Sequence, residues 1–493
     1  MEEIRVLATL NSHANFSSTR SLFELSKGKE SKLYQNALNN IYTDDYIASK
    51  ALYGSNPNDV RYKMLKVRLK KRLYNNLFFV DYDRLKIGKV YQAELECLKL
   101  LHHAHTLSRL YELDLVLSNT SKVRKIALKY EFTNFLIDAL ELELECHTES
   151  GNFKEFQKCT NELTKLLKKK LYEREAVSLY QTIKLDGKRS VKLRRKHMAN
   201  FSSSIARLYD IYCLTDSFEA FYSYYKANII YSEMIGDFDA IVDLTLDSEQ
   251  KISAGKINIT RFNRTFNKFE LVYAHLRAKK LEQGLRYASE FLPDFKENSP
   301  NWFAYLENYF LLALHSANYE LALNLLHRVS NSVSINRLSA SAKERWNLYE
   351  AYYLLMAGDT SGSLSKKNPF LLSLPEYSKD KQGFNVAILI LQFIFYLHKK
   401  DTEALLYRIE SLKKYILTHL KDTFSLRSKI FLKLLILIVT EDYELKICSS
   451  KGQKLYQKLV DAPTPGDAFA EIEIVPYEHL WNQILNILKE HYN

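Results

Sequence analysis

From about residue 88 onward, apolar residues recur three and four apart, the period of an α-helix rather than of a strand. Tyr91, Leu95, Leu98, Leu101 and Leu107 form one such series, and Phe135, Ile137, Leu140, Leu142 and Leu144 form another. Strict alternation is confined to short stretches such as Glu471-Ile472-Glu473-Ile474-Val475. The pattern predicts an all-α chain.

The first 85 residues read differently. Ser31 to Asn40 and Asp44 to Tyr53 are expected to be short helices, followed by the strongest break in the chain, Gly54-Ser55-Asn56-Pro57-Asn58. Asp59 can cap a longer helix running to about Phe79, with Tyr62, Leu65, Leu69, Leu73 and Leu77 on its apolar side. Three compact helices, the last one basic, make an N-terminal subdomain of residues 1–85, bounded near Asp81-Tyr82-Asp83.

Beyond it, short joints recur in which small or polar residues precede an aromatic residue or Leu and a new helix. They are Ser150-Gly151-Asn152-Phe153, Ile235-Gly236-Asp237-Phe238, Lys279-Lys280-Leu281, Ala317-Asn318-Tyr319, Ala357-Gly358-Asp359-Thr360 and, more weakly, Lys400-Asp401-Thr402. Their spacing drifts around a period of about 40 residues, with one joint skipped between the first two. Gly, Asn or Asp at such a place ends one helix or caps the next, so that the pair folds back antiparallel. Small residues follow where two helix backbones must approach, as at Gly284 and Ala288, or Ala322.

The stretches Ala317-Asn318-Tyr319-Glu320-Leu321-Ala322-Leu323-Asn324-Leu325-Leu326 and Gly236-Asp237-Phe238-Asp239-Ala240-Ile241-Val242-Asp243-Leu244 resemble the turn and second helix of a tetratricopeptide repeat. The period is longer than the 34 residues of that motif, and its first-helix signature is missing. The resemblance spans roughly residues 120 to 440. It implies a tetratricopeptide-like α-solenoid of antiparallel helix pairs over residues 86–493. The C-terminal third is similar to a bacterial family of helical proteins of comparable length. The resemblance rests on Asp380 to Asn385, Arg408 to Leu412 with Tyr415, Arg427-Ser428, and Glu473 to Trp481. That likeness implies architecture and no chemistry.

Composition agrees with helices. The 493 residues include only 13 Gly and 8 Pro, too few for the tight turns of a sheet protein or for Gly-rich phosphate loops. The 34 Tyr and 26 Phe supply an extended core. The crowd of rings at Tyr209, Tyr212, Phe218, Phe221, Tyr222, Tyr224, Tyr225 and Tyr231 is expected to fill it, as are Trp302, Phe303 and Trp346. Phe384 to Leu397 is apolar but carries Asn385 and Gln392, and Phe424 to Val439 carries Arg427, Lys429 and Lys433. Both read as buried helices and not as membrane spans, which need about 20 largely uncharged residues. With no signal peptide and five cysteines in no paired pattern (Cys97, Cys146, Cys159, Cys213, Cys448), free thiols and a cytoplasmic location are expected.

Charge sharpens the picture. The net +12 comes from two segments, residues 1–90 at +7 and residues 154–207 at +10, on a remainder of −5. The candidate basic surface is Arg61, Lys63, Lys66, Arg68, Lys70, Lys71 and Arg72 on the N-terminal helix, with Lys188, Arg189, Lys192, Arg194, Arg195 and Lys196 in the second segment. Such runs can neutralise nucleic-acid phosphates, and the N-terminal helices have the outline of a helix-turn-helix; they can equally be solvated helix faces.

No GxxxxGK[ST], GxGxxG, GxSxG or HExxH occurs. His102, His103 and His105 lack evident further ligands, so neither a metal nor another cofactor is expected. The sequence therefore reads as a non-catalytic scaffold or adaptor that holds a protein or peptide partner in a solenoid groove. The alternative is a nucleic-acid-associated regulator with a basic N-terminal subdomain.

Overall fold

The computed structural model describes residues 1–12, 28–80, 87–188, 191–358, 384–419, 426–463 and 473–492, with backbone only at 78–79, 191–199 and 418–419. Among these residues the chain is all-α and forms no strand. The expected boundary at Asp81-Tyr82-Asp83 and the stretch Asp380 to Gly383 lie outside them. The chain divides into two compact units, residues 1–171 and residues 172–493.

The first unit opens with four helices where three were expected: α1 (Glu2–Ser12), α2 (Lys29–Leu38), α3 (Asp45–Tyr53) and α4 (Val60–Asn75). The additional helix, α1, buries Ile4, Leu7, Ala8 and Asn11 at helical spacing without any capping signal in the sequence. The expected caps form. Asp44 accepts from the Ile47 amide at 2.8 Å, and Asp59 from the Arg61 amide at 2.8 Å. The α4 helix stops at Asn75, short of Phe79, and tightens into a 3₁₀ turn over Asn76–Phe79. Its stripe of Tyr62, Leu65, Leu69 and Leu73 joins Ile4, Leu7, Leu33, Tyr34, Ala37, Ala48 and Leu52 in one core.

Next come α5 (Lys89–Ser108), α6 (Leu113–Tyr130), α7 (Thr133–Glu149) and α8 (Phe153–Asp186), with a second core of their own. The α5 helix inserts Cys97, Leu100, Leu101 and Ala104, and leaves Tyr91 and Leu98 exposed, so the expected stripe is displaced around the helix. Small Cys97 and Ala104 let α6 approach more closely than the larger residues would. Arg124 of α6 donates to Glu143 of α7 at 2.8 Å and to both oxygens of Glu162 of α8 at 2.9 and 2.8 Å.

The second unit holds the remainder of α8 and α9 (Val191–Thr215), α10 (Phe218–Ile235), α11 (Phe238–Ser253), α12 (Arg264–Arg277), α13 (Leu281–Phe291), α14 (Pro300–His315), α15 (Tyr319–Ser330), α16 (Ala340–Ala357), α17 (Asn385–His398), α18 (Thr402–His419), α19 (Leu426–Thr440), α20 (Leu445–Asp461) and α21 (Tyr477–His491). From α9 on, each helix packs on the next in sequence, and α12 packs on α14 and α17 on α19. The apolar α17 is buried nearly all round, and no described helix is long and apolar enough to cross a membrane.

The joints share one construction. At five of the six, a single residue takes the left-handed conformation and the following amide reaches back five residues to close the helix; at the sixth, Gly358 has φ 74°, and Asp359-Thr360 lie outside the described residues. Gly151 has φ 65°, and the Asn152 amide donates to the His147 carbonyl at 2.9 Å. Gly236 with Asp237, Lys279 with Lys280, Ala317 with Asn318 and Lys400 with Asp401 repeat it. Where the second residue is Asn or Asp, its side chain caps the new helix. Asp237 accepts from the Ala240 amide at 3.0 Å, Asn318 from Leu321 at 3.1 Å and Asp401 from Ala404 at 3.0 Å. Two residues thus reverse the chain, which is why so few Gly and no Pro are needed there. Tyr111 and Glu131 make the same turn in the first unit, closed by the Glu112 and Phe132 amides. The expected close approach at Gly284 is also present: a Cβ there would stand 2.8 Å from Leu312 Cδ2 and 3.0 Å from His275 Cβ.

Candidate functional site

The first basic stretch folds onto the inner faces of its own subdomain. Lys66 Nζ meets Asp45 of α3 at 2.5 Å, Lys70 pairs with Glu3 of α1, Arg72 meets Glu30 of α2 at 3.1 Å, and Arg61 meets Asp59 at 2.8 Å. Asp45 also accepts from the Tyr62 hydroxyl at 2.7 Å. Burial works to raise its carboxyl, but the hydrogen bonds from Lys66 and Tyr62 outweigh this and hold it at about 2. Lys66, Lys70 and Arg72 therefore fasten α4 to the other helices, while Arg61 pairs with the cap of its own helix. Lys63, Arg68 and Lys71 are exposed and carry no ion pair among the described residues. Of the two asparagines near the end of α4, Asn75 is exposed and Asn76 buried.

In the second stretch, Lys184 and Lys188 are exposed. Arg189 and the side chains of Lys192, Arg194, Arg195 and Lys196 lie outside the described residues. His102, His103 and His105 all face solvent while Cys97 points into the core, so that set does not converge. Cys97, Cys146, Cys159 and Cys448 are buried free thiols, and burial pushes Cys97 up to about 12 and Cys448 up to about 11.

The aromatic crowd divides by helix face. Phe218, Phe221 and Tyr225 of α10 enter the main core with Phe262 and Val272, whereas Ala220, Ala227 and Met234 pack on Ala176, Ile183 and Leu208 of α8 and α9. Tyr222 and Tyr224 are only half-buried, and Tyr209 is exposed. Trp302, Phe303 and Trp346 are core residues.

Between those two packed faces of α10 runs a third, which composition did not reveal. Tyr222, Lys226 and Glu233 line it at helical spacing. Lys226 Nζ sits 3.0 Å from the ring centre of Phe266 on α12. One turn further along α12, Glu270 is only 8 % exposed and has no hydrogen-bond or ion-pair partner among the described residues. Lys184, over the Tyr180 ring at 5.8 Å, approaches from α8. Burial, reinforced by the Glu233 carboxylate and opposed by Lys226, pushes Glu270 up to about 8. Burial likewise pulls Lys226 down to about 8, against the pull of Glu270. Two groups of opposite formal charge thus share a desolvated face without forming an ion pair. Beneath them a satisfied network fixes the helices: Tyr225 donates to Asn267 Oδ1 at 2.7 Å, and Asn267 donates to the Thr245 carbonyl at 3.1 Å and to Glu249 at 3.0 Å.

A second polar centre lies near the C-terminus, in residues that the sequence picked out. Arg427 of α19 donates to Glu473 at 2.5 and 3.0 Å, to Glu478 of α21 at 2.9 and 2.8 Å, and to the Leu459 carbonyl at 2.7 Å. The Ser428 and Tyr477 hydroxyls are 3.0 Å apart. The same segment reaches far back along the chain, since His315 Nε2 lies 2.9 Å from the Glu473 carbonyl and Lys279 lies 3.8 Å from Glu478. Every Arg427 nitrogen is engaged, so this centre holds the fold and offers no free valence to a ligand. Compared with protein-family models, with curated proteins and with solved structures, the chain matches none.

Proposed function

We propose that the chain is a non-catalytic binding scaffold of the tetratricopeptide-like α-solenoid kind, which holds a segment of a partner protein on the face shared by α8, α10 and α12. The observation that carries this reading is the half-buried set on that face, with exposed Lys184 at its edge. Tyr180, Tyr222 and Phe266 offer ring surface while Lys184 and Lys226 carry no ion pair among the described residues. Rings combined with unsatisfied charge supply both contact area and orientation to a bound chain. The two-residue joints support it too, because near-identical reversals stack helices in sequence order and bring alternate helices to one side. Binding there makes and breaks no bond.

On α4 the nucleic-acid reading keeps Lys63, Arg68 and Lys71 as cations without an ion pair, since Lys66, Lys70 and Arg72 are tied to neighbouring helices and Arg61 to its own helix cap. Three phosphate contacts would give a shallow salt dependence, with a slope of about −3. A titration with nonspecific duplex DNA from about 50 mM salt upward tests this reading, and a slope no steeper than about −3 would limit the contacts to α4.

The scaffold reading is tested by placing a photo-crosslinking amino acid at Tyr222 or Phe266, and at exposed Gln250 on α11 as a control. Discrete adducts with one partner from the first two positions, and none from the third, are expected. Equal labelling from all three would overturn the reading.

A further inference from the structure

Independently of that scaffold reading, we infer that the outer face of α4 docks on an anionic phospholipid bilayer. Val60, Met64 and Val67 enter the headgroup layer, and Lys63, Arg68 and Lys71 meet lipid phosphates around them.

This helix is apolar on two sides. Tyr62, Leu65, Leu69 and Leu73 face the core of the subdomain. A helix so placed ordinarily turns polar residues to solvent. Opposite that stripe, however, α4 carries Val60, Met64 and Val67, which are 72, 54 and 60 % exposed. They recur four and three residues apart and Lys71 follows four further on, so they form one line along the helix, with exposed Tyr74 near its end. Apolar side chains scattered singly over a surface need no explanation, but three in register on one helix make a patch. Exposure of this size also means that no neighbouring helix walls the line, which is a ridge and not a groove.

Charge decides what covers the ridge. From Val60 to Asn75 the helix holds seven cations and no acid. Lys66, Lys70, Arg72 and Arg61 are spent on ion pairs within the subdomain. Lys63, Arg68 and Lys71 are exposed and carry no ion pair among the described residues. By helical register Lys63 stands on one side of the apolar line, Arg68 on the other and Lys71 within it. The acids at its border are already engaged, Glu3 by Lys70 and Tyr74 and Asp59 by Arg61. A second copy of the chain would set like charge against like. Duplex nucleic acid would satisfy the cations but lay phosphates over the three apolar side chains at the centre. A protein partner seated on one helical ridge falls short of the roughly 20–30 residues a side that a stable interface uses. An anionic bilayer meets both demands at once. The central side chains enter the interface while the long cationic ones beside them reach back to phosphate, and the +7 of residues 1–90 adds to the attraction.

Flotation of the full chain with lipid vesicles tests this. Vesicles of phosphatidylcholine mixed with phosphatidylserine are expected to carry the protein, and vesicles of phosphatidylcholine alone to leave it behind. The triple variant Lys63→Gln, Arg68→Gln, Lys71→Gln should weaken binding to the mixed vesicles about a hundredfold, at about fivefold for each cation. The triple variant Val60→Ser, Met64→Ser, Val67→Ser keeps every charge and should weaken it about tenfold or more, which attraction by charge alone would not produce. Circular dichroism melting checks that both variants fold, as substitutions at exposed positions should. Met64→Trp reports the docking site directly, because Trp302, Trp346 and Trp481 are buried. Emission from the introduced indole should move to shorter wavelength on the mixed vesicles and stay unchanged on the neutral ones. Absence of flotation, equal flotation with both compositions, undiminished binding by the serine variant, or an indole that does not respond would each overturn the inference. So would binding of duplex DNA, or of an amphipathic Glu/Leu peptide, through α4 by a chain that leaves the mixed vesicles bare.

Discussion

Arg427 and Glu473, 46 positions apart in the chain, meet through two parallel hydrogen bonds of 2.5 and 3.0 Å. The guanidinium is 2 % exposed and serves Glu478 as well, so its removal would strand two carboxylates. Arg427→Met is expected to destabilise the second unit by about 3–5 kcal/mol, the usual cost of leaving a buried charge without its partner. The triple variant Arg427→Met, Glu473→Gln, Glu478→Gln should recover much of that loss. Urea unfolding of the three proteins decides it, and a cost below about 1 kcal/mol for the single variant would show that water reaches the carboxylates.

The left-handed joints predict opposite responses to glycine. Gly151 has φ 65° and open space where a Cβ would stand, so Gly151→Ala meets only backbone strain and is expected to cost about 1 kcal/mol. Ala317 takes φ 52° with a Cβ already present, and Ala317→Gly should stabilise by up to about 1 kcal/mol. Thermal unfolding of the pair tests the shared construction, and two changes of the same sign would contradict it.

These joints also show where sequence reasoning reached and where it stopped. Gly151-Asn152, Gly236-Asp237 and Ala317-Asn318 were legible because Gly or a capping Asn or Asp marks the reversal chemically. Tyr111 and Glu131 make the same reversal with residues that rarely adopt it, so no local signal announces them. The basic helix was legible as a charge run but not as a set of ties. Glu3, Glu30 and Asp45 lie 67, 42 and 21 positions from their cations, and only folding brings them together. Lys226 and Glu270 escaped notice for the same reason. One sits in a stretch dominated by rings and the other in an ordinary amphipathic helix, and their meaning arises only when α10 and α12 stand side by side.

Gly284 marks a contact that tolerates no branching. Its absent Cβ would lie 2.8 Å from Leu312 Cδ2 and 3.0 Å from His275 Cβ, so α12, α13 and α14 meet at this point. In Gly284→Ala, rotation of the Leu312 side chain relieves one contact, and the His275 Cβ contact calls for a small shift of α12. Gly284→Val is not relieved in this way, and is expected to cost about 1–3 kcal/mol more than Ala through overpacking. A smaller cost for Val than for Ala in chemical denaturation would refute the close approach.

Asp45 ties α3 to α4 and should make the N-terminal helices sensitive to acid. Its carboxyl is held at about 2, so its contribution is present above the ordinary aspartate value of about 3.9 and is lost as the pH falls through about 2. The group is partly exposed, and after allowance for solvent screening Asp45→Asn should cost about 0.5–1 kcal/mol at pH 7. That difference should shrink below pH about 4. Melting curves across this range provide the check, and a difference independent of pH would assign the loss to packing and not to charge.

Glu270 predicts the opposite pH dependence. Burial raises its carboxyl to about 8, far above the value of about 4.3 in an unfolded chain. A group raised on folding contributes fully below its unfolded value, and that contribution drains away as the pH climbs toward the folded one. Lys226, lowered to about 8, adds a loss on the other side as the pH falls from about 10.4 toward 8. Glu270→Gln removes the first of these effects while keeping size and hydrogen-bonding capacity. The variant should match the parent near pH 4 and exceed it by on the order of 3 kcal/mol at pH 8, at about 1.4 kcal/mol per pH unit over the interval, less what relaxation recovers. Unfolding free energies from urea titrations at pH 4, 6 and 8 make the comparison. A constant offset would mean that Glu270 ionises freely in the folded chain.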